Sequence, residues 1–302
     1  MTEKISEQDL LFVKSLLEKI LNITDIKAIE KMNGMTNRSY KVDFKCHSSL
    51  VVRIPGEGTS NMINRLDEYK STKLAYKLGI DAELLYFGED GTKIMHYIDN
   101  AKTMSPEDLR QNDKIQMIAD IFRILHNCNE DTCVPFNVFD MADTYEKIIN
   151  LYRINMFDDY QNIKQKIMNI KNRIDSHGII KKVPCHNDSL CENWVYGEGK
   201  LFLIDWEYAG MNDPMWDLAD ISIEASYNEK QDSYLLKNYL QKEPTIYEKE
   251  RFFANKLYLD YLWTLWAKTR VPFSEKEMEQ YALERYTRLK TNLNKFIEFK
   301  NF

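Results

Sequence analysis

The sequence predicts an α+β protein with a small antiparallel sheet in its N-terminal third and a mainly helical remainder. Three observations carry this expectation. Residues 40–46 alternate apolar and polar side chains, the signature of a half-buried strand. A second apolar run, LVVRI at 50–54, is too short for a helix and long enough for a strand. Beyond Ser105, apolar residues recur at helical spacing through most of the chain.

Taken in order, Ser6 and Asp9 are spaced as a capping box. Leu10, Val13, Leu17 and Ile20 then mark one helix face, which predicts a helix over 6–21. The turn-rich segment KMNGMTNRSY separates two strands, the second carrying Tyr40, Val42, Phe44 and Cys46 on one face. PGEGTS at 55–60 reads as a loop. A helix is expected over 61–78, ending before Gly79. Residues 83–98 read as two short strands around a turn at Gly88–Gly91. Ser105-Pro106 opens a helix with proline in its first turn, and Ile115, Ile118, Phe122 and Leu125 stripe the next. Long helical patterns fill 142–176, 213–240 and 246–299. Two β-like runs interrupt them, WVY at 194–196 and LFLID at 201–205, joined by GEG. The expected division is an N-terminal lobe over 1–97 and a C-terminal lobe over 98–302.

With 302 residues, 44% hydrophobic, the chain can bury substantial cores, and 29% charge solvates its surface. The net charge of −6 leaves no basic footprint for nucleic acid. It suits a cationic substrate as well as plain solubility. The five cysteines match no zinc spacing and read as reduced thiols. The start, MTEKISEQDLL, does not read as a signal peptide, and no run of about 18 apolar residues occurs. The expectation is a cytoplasmic protein without a membrane partner.

The chemistry concentrates in 183–220. His186-Asn187-Asp188 is followed by Asn193, then by the β-like pair, then by Asp205 after Leu-Phe-Leu-Ile. Phosphoryl transfer needs this kind of set. One carboxylate orients the attacking hydroxyl and takes its proton; an amide oxygen and a second carboxylate hold magnesium on the phosphates. His186 reads as a brace for the loop backbone. An unpaired Asp205 at the end of an apolar strand would be costly, and magnesium would offset that cost. In the loop at 33–40, Gly34 allows a turn, and Thr36, Asn37 and Arg38 could cover phosphates with donors. Arg53, in VVRIPG, is a cation on an apolar strand. It reads either as a snorkelling edge residue or as a phosphate ligand, which would want an acidic partner on the following helix. Glu68 is the candidate, with Asp67 beside it. Trp206, Tyr208 and Trp216 crowd Asp205 in sequence. Trp263 and Trp266 lie three apart on one helix, and Tyr281 falls on the next. These aromatics are either core or a cage of π faces for a quaternary ammonium.

With these residues in hand, the chain resembles the choline/ethanolamine kinase family, and especially its bacterial LicA-type branch. NGMTNRSY, VVRIPGEGT, INRLDEY, HNDSLCEN, LIDWEYAGMNDPMWDLAD and the WTLW helix carry the resemblance over nearly the whole chain. Asn33 stands where that pattern often has a second glycine. The resemblance implies a two-lobed protein-kinase-like fold with ATP in the cleft. It implies Asp188 as base, Asn193 and Asp205 as magnesium ligands, and Arg53 with Glu68 as the phosphate-binding pair. It places Met95 and Tyr97, in the linker near 95–98, and Ile204 with the nucleotide. It maps a choline pocket onto Glu207, Tyr208, Trp263, Trp266 and Tyr281. The expected activity is ATP- and magnesium-dependent phosphorylation of choline. Its rivals are a kinase for ethanolamine, an aminoglycoside, thiamine or a sugar, and a non-catalytic binding protein that keeps the fold.

Overall fold

A computed structural model describes residues 5–32, 37–56 and 63–299. The chain divides into two compact units. The first comprises 1–108 and 191–209, the second 109–190 and 210–302. Among the described residues no helix is long and apolar enough to cross a membrane.

The first unit begins with α1 (Glu7–Leu21), capped by the Ser6 hydroxyl, which accepts the Asp9 N–H at 3.0 Å. The reciprocal half of a capping box is not made. The Asp9 carboxylate instead accepts the Tyr40 hydroxyl at 2.6 Å and pairs with Arg38 at 3.2 Å. Five antiparallel strands follow: β1 (Ile26–Met32), β2 (Arg38–Phe44), β3 (Leu50–Ile54), β4 (Leu84–Phe87) and β5 (Lys93–His96), in the order β1-β2-β3-β5-β4. The period-two expectation holds for Tyr40, Val42 and Phe44, which are buried with Val13 and Leu17 of α1 and with Val52 and Ile94. Cys46 does not continue the face; β2 ends at Phe44 and the thiol is exposed. Helix α2 (Arg65–Lys77) joins β3 to β4 and is capped by Asn64. Gly91, in the β4–β5 turn, has φ +88°. A Cβ there would lie 2.5 Å from Arg65 Cδ, so only glycine leaves room for that arginine's stem. A second sheet combines β6 (Lys102–Thr103) with the hairpin β8 (Trp194–Gly197) and β9 (Lys200–Leu203).

The short α3 (Pro106–Leu109) ends where the second unit begins. That unit contains α4 (Asn112–His126), α5 (Val138–Leu151), α6 (Tyr160–Asp175), α7 (Met215–Glu224), α8 (Glu229–Leu240), α9 (Ile246–Arg270) and α10 (Glu275–Phe299). Each long helical pattern of the sequence is two helices. Arg153, with φ +54°, lies between α5 and α6. Ser226, with φ +55°, and the Asn228 capping box separate α7 from α8. Pro272 lies between α9 and α10, because proline cannot supply the next helical N–H. The long α9 runs through the unit with most of its residues buried, its start fixed by a full Thr245–Glu248 capping box. Two three-residue strands, β7 (Val183–Cys185) and β10 (Gly210–Asn212), pair antiparallel and hold the two ends of the segment that left the unit at 191 and returned at 210.

Candidate active site

In the first unit the site is built around Arg53. Strand β3 lies between β2 and β5, so Arg53 is not an edge residue, and its side chain is only 8% exposed. It sits directly opposite Lys93 of β5, which puts two cations on one face of the sheet. Glu68 of α2 answers both. Its Oε1 lies 2.6 Å from Arg53 Nη1 and 2.8 Å from Lys93 Nζ, and its Oε2 lies 2.7 Å from Arg65 Nη1. The other arm of the guanidinium, Nη2, reaches Asp205 at 2.9 Å and Glu207 at 2.6 Å. Burial alone would raise the Glu68 carboxyl, but Lys93 and Arg53 outweigh it and hold the group at about 2. Burial and the neighbouring Asp205 push Glu207 upward. The expected Arg53–Glu68 pair is therefore present, and Asp67 instead pairs with Lys70.

One expectation is corrected. Strand β9 ends at Leu203, and Asp205 is not an unpaired carboxylate in apolar surroundings. It is ion-paired to Arg53, 29% exposed, and held at φ +70°. The hairpin does what its spacing suggested. Trp194 pairs with Leu203, and the Ile204 N–H donates to the Asn193 carbonyl at 2.9 Å, so Asn193 and Asp205 lie at the same end of β8–β9. An amide and a carboxylate are hard oxygen donors of the kind that magnesium prefers. Glu68 and Glu207 bring two more carboxylates to the Asp205 side of Arg53.

Among the nucleotide candidates, Met95 and Ile204 both pack against a small apolar cluster of Ala82, Ile98, Val195 and Phe202. Tyr97 is covered by the Lys41 ammonium, 4.6 Å from the ring centre, and its N–H donates to the Ser49 carbonyl. Asn37 donates to Glu207 at 3.3 Å and accepts the Gly56 N–H, so it joins the Arg53 cluster. Arg38 lies with Asp9 of α1 instead. Gly34 and Thr36 lie outside the described residues.

Sequence reasoning missed Lys93, Arg65 and Asp81. Lys93 opens the four-residue strand β5, KIMH, where no apolar run sets a cation apart. Asp81 is 3% exposed; its Oδ1 accepts the Ala82 N–H at 2.7 Å and its Oδ2 has no hydrogen-bond partner. Burial pushes this carboxyl from 3.8 up to about 7, against the pull of Lys93. The folded value lies above the unfolded one, so between about pH 4 and 7 the native state binds the extra proton, and stability falls as pH rises through that window. Asp81→Asn should abolish this part of the slope. Urea denaturation at pH 5 and pH 8 measures it, and an equal slope in both proteins would refute the assignment.

In the second unit, the loop after β7 is fixed by its backbone. His186 is fully buried, and its Nδ1 accepts the Asp188 N–H at 3.3 Å. Asn187 adopts φ +68°, a conformation asparagine tolerates. Its side chain bonds to Asn212 and Gly210, and its carbonyl accepts the Trp216 indole N–H at 3.1 Å. Helix α7 holds the loop through two carboxylates one turn apart. Asp217 accepts the His186 and Asn187 N–H groups at 2.9 and 2.8 Å, and Asp220 accepts the Ser189 N–H at 2.5 Å and its hydroxyl at 3.0 Å. Asp188 stands between these anchored residues.

The aromatic candidates on α9 and α10 do come together. Trp263 and Trp266 meet edge to face at 5.9 Å between ring centres, and Trp266 and Tyr281 at 6.1 Å. Trp266 Nε1 is buried without a hydrogen-bond partner. The carboxylate that joins this group is Glu224 of α7, unseen in the sequence reading. Arg285 bridges it, with Nη2 2.6 Å from both Glu224 and the Tyr281 hydroxyl. Burial pushes Tyr281 up to about 12, with Glu224 and Asp188 adding to the rise. Burial, Glu224 and Asp188 likewise hold Asp220 well above the usual carboxylate range. Glu207 and Tyr208 belong to the first unit, and Glu207 is committed to Arg53.

The small antiparallel sheet and the mainly helical unit are those of a protein-kinase-like fold, and membership of the choline/ethanolamine kinase family makes the chain a phosphotransferase that acts on an alcohol and uses ATP. The chain belongs to the choline/ethanolamine kinase family, whose family model matches residues 29–293. It is similar to the protein LicA of Haemophilus influenzae, 28% identical over 262 residues that cover 84% of this chain and 76% of that protein. It is similar in structure to a choline/ethanolamine kinase family protein from Mesorhizobium loti (TM-score 0.85, 28% identity, 96% of this chain and 97% of the other). It is also similar to the choline kinase LicA of Streptococcus pneumoniae (TM-score 0.82, 27% identity, 96% and 100%).

Proposed function

We propose that the protein transfers the γ-phosphoryl group of ATP to the hydroxyl of choline, with magnesium. The observation that carries the choice of choline is the joined group of Trp263, Trp266 and Tyr281, with Glu224 close by through Arg285. Trimethylammonium has no N–H to donate, so aromatic faces and a carboxylate are what can select it. In this reading Asp188 orients the choline hydroxyl and accepts its proton. Asn193 and Asp205 would hold the magnesium ion, which would neutralise phosphate charge. Arg53, kept in place by Glu68, turns the Nη2 arm that now meets Asp205 and Glu207 toward phosphate oxygens. The two LicA proteins support the reading, and the one from Streptococcus pneumoniae is a choline kinase. Ethanolamine is the second reading, because Glu224 and Asp220 offer acceptors to a primary ammonium.

The experiment is ATP turnover with choline, ethanolamine, an aminoglycoside, thiamine and a sugar, with and without magnesium. Choline should give the highest kcat/KM, and activity should vanish with EDTA. Trp266→Leu keeps apolar bulk and removes the π face. A desolvated cation–π contact is worth about 2 kcal/mol, so the choline KM should rise about 30-fold while the ATP KM stays nearly constant. An unchanged choline KM in the folded variant would take Trp266 out of the pocket. Higher kcat/KM on ethanolamine would replace choline by the second reading.

A further inference from the structure

The loop that carries Asp188 is tied to a buried chain of hydrogen bonds that ends on α8. Asp217 takes the His186 amide on Oδ2, and that same oxygen lies 3.0 Å from His126 Nε2. Both Asp217 oxygens already accept loop amides, so Nε2 is the donor in this contact. On the other side of the ring, Nδ1 lies 2.9 Å from the Tyr239 hydroxyl. With Nε2 as the donor, Nδ1 takes the Tyr239 hydroxyl, and the hydrogen bonds run from Tyr239 through His126 to Asp217. The ring is 5% exposed and lies flat against Phe122 at 5.5 Å. His126, Cys185 and Asp217 are also close enough to suggest a metal. However, both Asp217 oxygens are already engaged by loop amides, and burial and Asp217 push the Cys185 thiol up, so it remains protonated.

We infer that His126 is a positioning residue for phosphoryl transfer, acting through Asp217 on the 186–189 loop. The inference rests on the reading of Asp188 as the base. Asp217 can point one oxygen at each of two adjacent amides only while its carboxylate plane is held. The His126 Nε2–H is the bond from outside the loop that holds it, and the Tyr239 hydroxyl on Nδ1 in turn keeps the ring oriented toward Asp217. Without it the carboxylate can rotate, the two amide bonds loosen, and Asp188 loses its register. Reaction rates are steep in such placement: a displacement of about 1 Å can cost about 100-fold.

The test uses the full chain and the alcohol that the wild type turns over best. His126→Phe keeps the ring against Phe122 and removes both hydrogen bonds. It should lower kcat by about 10- to 100-fold and leave both KM values nearly unchanged. His126→Gln can present an N–H near the position of Nε2 and should restore most of kcat. Hydrogen exchange of the peptide spanning 183–190 should quicken in the phenylalanine variant and return to wild type in the glutamine variant. If the ring only fills space, His126→Phe will keep its kcat, and the inference is overturned. Should that variant fail to fold, Tyr239→Phe decides, since it deletes one hydroxyl: a lowered kcat with constant KM supports the chain, and an unchanged kcat overturns it. A wild type that phosphorylates no alcohol would sink the reading of Asp188. The exchange experiment would still decide whether His126 holds the loop.

Discussion

Replacing Asp188 with asparagine should reduce kcat by about 100- to 10,000-fold, the usual span for loss of a general base, with ATP affinity nearly unchanged. The substitution is informative because of how the loop is held. His186 and Asn187 are anchored by their amides to Asp217, Ser189 is anchored to Asp220, and Asp188 contributes its own N–H to His186. Asparagine keeps the shape and loses the basicity. Single-turnover measurement of phosphoryl transfer, beside equilibrium ATP binding, separates the two effects. A variant with near-normal transfer would move the base elsewhere, and Asp220 would be the next residue to examine.

Arg53→Met should be the most destabilising single change in the first unit. It removes the cation that touches Glu68, Asp205 and Glu207 together. Breaking a buried pair by deleting one partner typically costs about 3–5 kcal/mol, because the remaining charge is left uncompensated. Lys93 and Arg65 still face Glu68, so the cost falls chiefly on Glu207, 7% exposed, which loses its 2.6 Å partner and keeps Arg65 at 3.9 Å and the Asn37 amide at 3.3 Å. ATP binding should be lost along with stability. Arg53→Lys should recover part of the stability and little of the binding, since one ammonium cannot replace two fork nitrogens, one on Glu68 and the other on Asp205 and Glu207. Urea denaturation and ATP titration of both variants measure this. A methionine variant with wild-type stability would show that the three carboxylates do not depend on Arg53.

What could be read from the sequence was mostly what the chain encodes locally. Asn193 and Asp205 are brought to one end of a hairpin by four-residue strands, a short-range event that GEG signals. Arg53 and Glu68 were legible because a lone cation on an apolar strand calls for an acid on the next helix. Lys93 and Asp81 were not, because their importance depends on strand β5 lying beside β3, a pairing that crosses α2 and β4. Strands β7 and β10 are three residues long and too short to show a period. Glu224 sits on α7 but acquires its role only from Arg285 on α10, 61 residues away by number. The helix breaks at Arg153 and Ser226 come from left-handed residues that are neither glycine nor proline, and such positions give little warning in sequence.

The Arg53–Asp205 contact spans 152 residues, and it bears on how the protein is made. On a ribosome the sheet carrying Arg53 emerges first, with Glu68 close behind, while Asp205 and Glu207 have not yet been synthesised. At about 5–20 residues per second the wait is roughly 8–30 s. During that interval one arm of the guanidinium has no carboxylate to meet. The surroundings of Arg53 Nη2 therefore cannot take their final form before Asp205 and Glu207 have been made.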